Sequence, residues 1–204
     1  MGLRLLILSW WTPKYVIRKE LATVSSQTTK ALKSLLTTYG QKESTDATKQ
    51  QLPESIEEQR ANMAQAHREL VEKLVAKVGH EEAVKHGREA LFLVGQSLGR
   101  QTRTKLGVGD NPKDLDRAAK ILYRILGIEF RLEWLDNSNA EAVINQCALS
   151  KYYSKLTCQV LSATDEGVIK GLQPNVTMKF KEYMTSGCRK CMADIQFNKK
   201  EAVM

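Results

Sequence analysis

"IEFRLEWLDNSNAEAVINQC", residues 128–147, changes the period of the chain. Upstream, apolar residues recur every three or four positions; here Ile128, Phe130, Leu132 and Trp134 alternate with Glu129, Arg131 and Glu133. Successive side chains of a strand point to opposite faces, so the alternation predicts a strand with one buried face. "DNSN" is a turn signal, and a second strand is predicted from about Ala140 to Cys147. Helices followed by hairpins make an α+β protein, so the fold class turns on this passage.

Toward the N-terminus the pattern is helical. Ile17, Leu21, Val24, Ala31, Leu35 and Tyr39 fit one helix face between Pro13 and Gly40, and the polar stretch 41–53 reads as a linker. Pro53 and Glu54 open a helix that carries Met63, Leu70, Leu74 and Val78 and ends at Gly79. A third helix is predicted over Glu81–Leu106, with Val84, Leu91, Val94 and Leu98 inward. Gly87, Gly95 and Gly99 lie within it, each costing about 1 kcal/mol against alanine, which predicts close approach of another helix or a ligand. Pro112 and Gly127 bound a fourth. Residues 1–52 are therefore expected to be a helical arm and linker, and 53–204 an α+β domain.

Toward the C-terminus, helical spacing returns over 149–169. Val176, Met178 and Phe180, then Cys191, Ala193, Ile195 and Phe197, form two further alternating runs joined by "TSGCRK". The expected fold is α+β: N-terminal helices, then a four-stranded antiparallel sheet built in β-β-α-β-β order.

The chain has 204 residues, enough for one core without disulfides, and 26% charged and 42% hydrophobic residues, as in soluble globular proteins. Its net charge of +8 is spread over several helices and tails, which reads as a solvated basic face and disfavours a nucleic-acid partner. In "MGLRLLILSWWTPK" the apolar run is far shorter than the roughly 20 residues of a membrane span. It is expected to pack on the domain; contact with a membrane surface through Trp10 and Trp11 is the less favoured reading, and residues 1–50 are a candidate docking arm for a protein partner. With no recognisable export signal, the chain is expected in the cytoplasm with reduced thiols.

The four cysteines, Cys147, Cys158, Cys188 and Cys191, all lie in the last third. Cys188 and Cys191 have the two-residue gap that lets both sulfurs reach one metal at about 2.3 Å. With Cys147 and Cys158 they would complete a zinc or iron-sulfur site. A redox-active pair and buried apolar cysteines are the alternatives. Asp165 and Glu166 either orient a water or ligand or are solvated helix-end charge. His67, His80 and His86 read as satisfied or exposed histidines. Neither a phosphate-binding glycine loop nor a nucleophile elbow is present.

"CALSKYYSKLTCQVLSATDEGVIKGLQPNVTMKFKEYMTSGCRKCMADIQF", residues 147–197, resembles the C-terminal half of the L-2-amino-thiazoline-4-carboxylic acid hydrolase-like family, and is similar also to the 4-vinyl reductase small-molecule-binding domain. The helices "EEAVKHGREALFLVGQSLGRQTRTKLG" and "PKDLDRAAKILYRILGIEF" fit the lead-in of both, so the resemblance covers about residues 60–197. It implies a ligand site using Cys147, Cys158, Cys188, Cys191 and Asp165. Three functions follow: a small-molecule or metal-binding sensor or accessory domain; a hydrolase that opens a cyclic amidine, with Cys158 and Asp165 catalytic, yielding N-carbamoyl-cysteine; and a subunit that docks a larger complex through its N-terminal arm.

Overall fold

The computed structural model describes residues 3–40 and 55–198; the expected linker lies outside them, and so do Pro53 and Glu54. Six α-helices and four strands follow in the order α1 (Leu3–Trp10), α2 (Lys14–Thr38), α3 (Ile56–Val78), α4 (His80–Leu106), α5 (Pro112–Leu126), β1 (Ile128–Trp134), β2 (Asn139–Cys147), α6 (Lys155–Leu172), β3 (Val176–Glu182) and β4 (Cys191–Phe197). The protein is α+β, as the change of period predicts.

Helix boundaries follow local chemistry. The Ser55 hydroxyl accepts from the Glu58 N–H at 3.0 Å and opens α3, and Asn111 Oδ1 accepts from the Asp114 N–H at 2.9 Å to open α5. Gly107 and Gly127 stop α4 and α5 in the left-handed conformation, at φ of 66° and 71°. One boundary departs from expectation. The helix read over 149–169 begins only at Lys155, where Ser154 Oγ accepts from the Thr157 N–H at 3.1 Å. Leu149 and Tyr153 have helical spacing but belong to a 3-10 turn over Ala148–Lys151 and the link after it.

All strand pairs are antiparallel, in the spatial order β1-β2-β4-β3. Ladders such as Leu132–Ala142–Ala193–Phe180 cross the inner face. In β2 the register slips by one, because Glu129 pairs with Gln146 but Phe130 pairs with Ile144. Asn145 is thus a one-residue bulge, and beyond it Cys147, not Gln146, shares a face with Ile144. On the edge strand β3, the Phe180 N–H is satisfied by Glu166 of α6 at 3.3 Å, which covers part of the open edge.

The closest helix pair is α4 with α6, through two glycine pairs four apart. Gly95 and Gly99 of α4 lie against the backbone of Thr164, Val168 and Gly171; Gly167 and Gly171 of α6 lie against that of Phe92, Gln96 and Arg100. The expectation of close helix approach at Gly95 and Gly99 holds, and the partner has matching glycines. Helix α2 contributes Leu21, Leu32 and Leu36 to the interior beside α3.

Two arginines tie successive helix ends together. Arg60 donates to the Ile125 and Arg124 carbonyls at the end of α5, at 2.9 and 2.7 Å. Arg124 in turn donates to the Leu8 carbonyl (3.1 Å), the Thr12 hydroxyl (3.1 Å) and the Ser9 carbonyl (3.0 Å), fixing α1 by its C-terminus. Losing these charge-assisted bonds in an Arg124→Ala protein is expected to cost about 2 kcal/mol locally. Amides of residues 6–12 should then exchange with solvent at least tenfold faster while α4 and α6 keep their protection. Unchanged exchange in this segment would show that Leu5 alone holds the helix.

Candidate functional site

A cavity of about 80 Å³ lies between the inner face of the sheet, α6, and the facing sides of α2 and α3. That is several times what one water needs, and suits a ligand of a few non-hydrogen atoms. Cys147 and Cys191 reach it from the sheet, Cys158 and Asp165 from α6, and Thr28 and His67 from α2 and α3. The bulge at Asn145 brings Cys147 to this face, and Cys191 stands opposite Ile144 in the ladder.

Three of the four cysteines therefore line one chamber, and Cys188 does not: it sits half-buried in the β3–β4 connection. All four are free thiols. Among the described residues no group of three or more His, Cys, Asp or Glu side chains is placed to hold a metal ion, so zinc and iron-sulfur readings gain no support. Burial pushes the Cys147 thiol up to about 11 and the Cys158 thiol up to about 12, the latter partly offset by the Thr185 hydroxyl beside it. Cys191 is also raised by burial, although the Met184 N–H donates to its sulfur at 3.2 Å. At neutral pH these are protonated, weakly nucleophilic thiols that make a soft apolar wall.

Asp165 and Glu166, adjacent in sequence, have opposite environments. Glu166 points to the α4 side, where its carboxylate pairs with Arg88 at 2.7 Å and caps the β3 edge; Arg88 also donates to the Gln159 carbonyl at 2.6 Å and the Ser162 hydroxyl at 3.1 Å. Glu166 thus holds α6 to α4 and β3. Asp165 faces the cavity, where nothing among the described residues hydrogen-bonds or ion-pairs with its carboxyl. Burial, and secondarily the Glu166 charge, raise it to about 7. By surface area the residue is half-buried, with part of it still accessible. Beside this region the hydroxyl of Tyr123 is buried without a partner, and burial and Asp165 hold its ionisation well above 10.

His67 is buried and satisfied, as expected of a helix histidine, but it also lines the cavity. The Thr28 hydroxyl donates to the Val24 carbonyl at 2.8 Å, so its oxygen accepts from His67 Nε2–H at 2.7 Å. Nδ1 is left to accept from the Tyr153 hydroxyl at 2.8 Å. Burial lowers His67 to about 4, so the ring is neutral at physiological pH. Thr28, His67 and Tyr153 were not singled out as site residues by sequence. His80 is exposed, and His86 lies outside the cavity between Glu82 and Glu89, at 2.8 and 3.2 Å.

Among the described residues no Lys or Arg lines the chamber. It offers one ionisable carboxyl, neutral hydroxyls, an imidazole and thiols, and apolar walls from residues such as Met63, Leu161 and Phe180. Such a site accepts a small cation or hydrogen-bond donor and penalises an anion.

The search of curated proteins finds no match. Among solved structures, the chain is similar to a trafficking protein particle complex subunit 3 from Naegleria fowleri covalently bound to palmitic acid, at 15% identity and a TM-score of 0.53, over 69% of this chain and 95% of that one. It is also similar to the phenol-responsive sensory domain of the transcription activator PoxR with phenol, at 16% identity and a TM-score of 0.48, over 67% and 73%. The first likeness is one of fold. At the level of sequence, the family model described as L-2-amino-thiazoline-4-carboxylic acid hydrolase matches residues 59–194, from early α3 into β4, so that α6 and its cavity-lining residues fall within it. With two thirds of its length so matched, the chain belongs to the L-2-amino-thiazoline-4-carboxylic acid hydrolase family.

Proposed function

We propose that this chain is a small-molecule-binding domain whose chamber takes a compact, largely apolar ligand with one cationic, amidine-like group directed at Asp165. The observation that carries this reading is the Asp165 carboxyl, which lines a largely apolar chamber and has no hydrogen-bond or ion-pair partner among the described residues. An unpaired buried carboxylate is costly, and a cation offering two N–H groups would pair with it bidentately. The lack of a lining Lys or Arg favours a ligand without a carboxylate of its own.

Calorimetry at pH 8 with 2-amino-2-thiazoline, L-2-amino-thiazoline-4-carboxylate and a neutral 2-oxothiazolidine tests this. The uncharged ring should bind at least tenfold more weakly than 2-amino-2-thiazoline, and Asp165→Asn should abolish the difference. Equal affinities for the two rings in the native protein would refute the reading.

A second reading is supported by the family: hydrolysis of the cyclic amidine. Water would add to the amidine carbon, the ring C–S bond would break, and the thiol of N-carbamoyl-cysteine would take up the proton, with Asp165 the general base. Ionisation near 7 suits that task. Cys158 is less suited to be the nucleophile, since its thiol is held near 12. Product appearance by mass spectrometry should rise with pH through about 7 and fall about 100-fold or more in Asp165→Asn, and persist in Cys158→Ala. Binding without product leaves the first reading alone.

A further inference from the structure

The first helix has two apolar faces, and the fold uses one. Leu5, Leu8 and Thr12, spaced three and four apart, turn inward: Leu5 and Thr12 are buried and Leu8 packs on the core. Leu3, Ile7 and Trp10, at the same spacings, point to the other side with Leu6, and Trp11 and Tyr15 extend the patch. Trp10 is 93% and Trp11 67% exposed, the largest apolar side chains in the chain left so bare. Tryptophans standing in water beside other exposed apolar residues are uncommon unless something covers them.

The platform is rigid, because Arg124 clamps its C-terminal carbonyls. It is also cationic: from Leu3 to Lys19 the chain carries Arg4, Lys14, Arg18 and Lys19 and not one acid, and Arg4, Lys14 and Lys19 are exposed. An 8-residue helix is about 12 Å long, far less than the roughly 30 Å of a hydrocarbon core, and no helix among the described residues is long and apolar enough to cross a membrane. Exposed Trp and Tyr on a short, fixed helix rimmed by basic residues is the chemistry of the water–lipid boundary, where indole rings sit at headgroup depth and cations meet anionic phosphates.

We infer that α1 and the turn after it form a docking surface for an anionic membrane, inserting Trp10, Trp11 and Ile7 at the interface while the cavity-bearing domain stays in water. The segment packs on the domain as the sequence predicts, and the face that packing leaves over is the one assigned to the membrane. It is independent of what the cavity binds.

Co-sedimentation of the full chain with phosphatidylcholine vesicles containing about 30% phosphatidylglycerol tests it, that share being enough to give a negative surface potential. Binding should be at least tenfold weaker to pure phosphatidylcholine and should weaken with added salt. A Trp10→Ala/Trp11→Ala protein should lose at least tenfold in partitioning with little change in melting temperature, because both side chains are mostly exposed. Lys14→Glu gives a second variant that should weaken binding only to the anionic vesicles. Three results would overturn the inference: no binding above the vesicle-free control, equal binding by the double variant, or a dimer in sedimentation that dissociates in the double variant while vesicles bind neither protein.

Discussion

A Gly95→Ala protein is expected to be about 3 kcal/mol or more less stable than the native chain, measured by the urea midpoint, although alanine is the better helix former by about 1 kcal/mol. The reason is backbone contact. A Cβ at Gly95 would fall far inside the van der Waals distance of the Thr164 carbonyl oxygen, and one at Gly167 would do the same to the Phe92 carbonyl. No side-chain rotation relieves such overlap; α4 and α6 must separate, which opens the most intimate helix contact of the fold. Gly87 is a built-in control. A Cβ there would meet Val160 Cγ1 at 2.8 Å, a methyl of a buried, stiff side chain and not backbone, so Gly87→Ala should still destabilise but by less than Gly95→Ala. Combining Gly95→Ala with Gly167→Ala should remove most of a typical stability of 5–15 kcal/mol. If Gly95→Ala melts at or above the native midpoint, the helices do not approach as described.

The second large effect concerns pH. His67 is neutral when folded, with its ionisation lowered to about 4, whereas unfolded histidine takes a proton near 6.5. Below pH 6.5 the unfolded chain therefore binds the extra proton, and stability is lost down to about pH 4, by about 3 kcal/mol. Asp165 acts in the opposite sense. Folded, it takes its proton near 7, above the unfolded value of 3.8, so the folded chain binds more protons in between. Stability is then highest at low pH and is lost as pH rises toward 7, by about 2–4 kcal/mol once the partial hydration of the chamber is allowed for. The two contributions offset each other over the shared range. Asp165→Asn removes one of them: at pH 8 the variant should exceed the native protein in stability by about 2–4 kcal/mol. Toward pH 4 that advantage should vanish, as His67 acts alone. Urea midpoints at pH 8 and pH 4.5 decide the matter, and parallel curves for the two proteins would mean that Asp165 is not buried as a carboxyl.

The sequence reveals helix ends where single residues dictate them: Gly79, Gly107 and Gly127 stop helices, Pro112 starts one, and the alternation after Gly127 announces the sheet. It misleads where two local signals compete, as at Leu149 and Tyr153, whose spacing is helical but whose helix waits for the Ser154 cap. Convergence of Cys147, Cys158 and Cys191 could be anticipated from strand adjacency, whereas the absence of Cys188 from the chamber depends on the course of the β3–β4 connection. The Thr28–His67–Tyr153 chain joins residues 39 and 86 apart and has no local signature. Nor do the separate fates of Asp165 and Glu166, neighbours that one helical step sends into different surroundings. The glycines of α6 were readable in principle, since Gly167 and Gly171 repeat the four-residue interval of Gly95 and Gly99.

The irregular residue in β2 has a further meaning. With uniform alternation, Gln146 would occupy the place that Cys147 now takes, and an amide would replace a thiol in the chamber lining. The chemical character of the interior is thus governed by a count of backbone units, not by the identity of Asn145. Deleting Asn145 would leave Cys147 facing in on a plainly alternating strand, whereas straightening β2 at full length would turn Gln146 inward in its place.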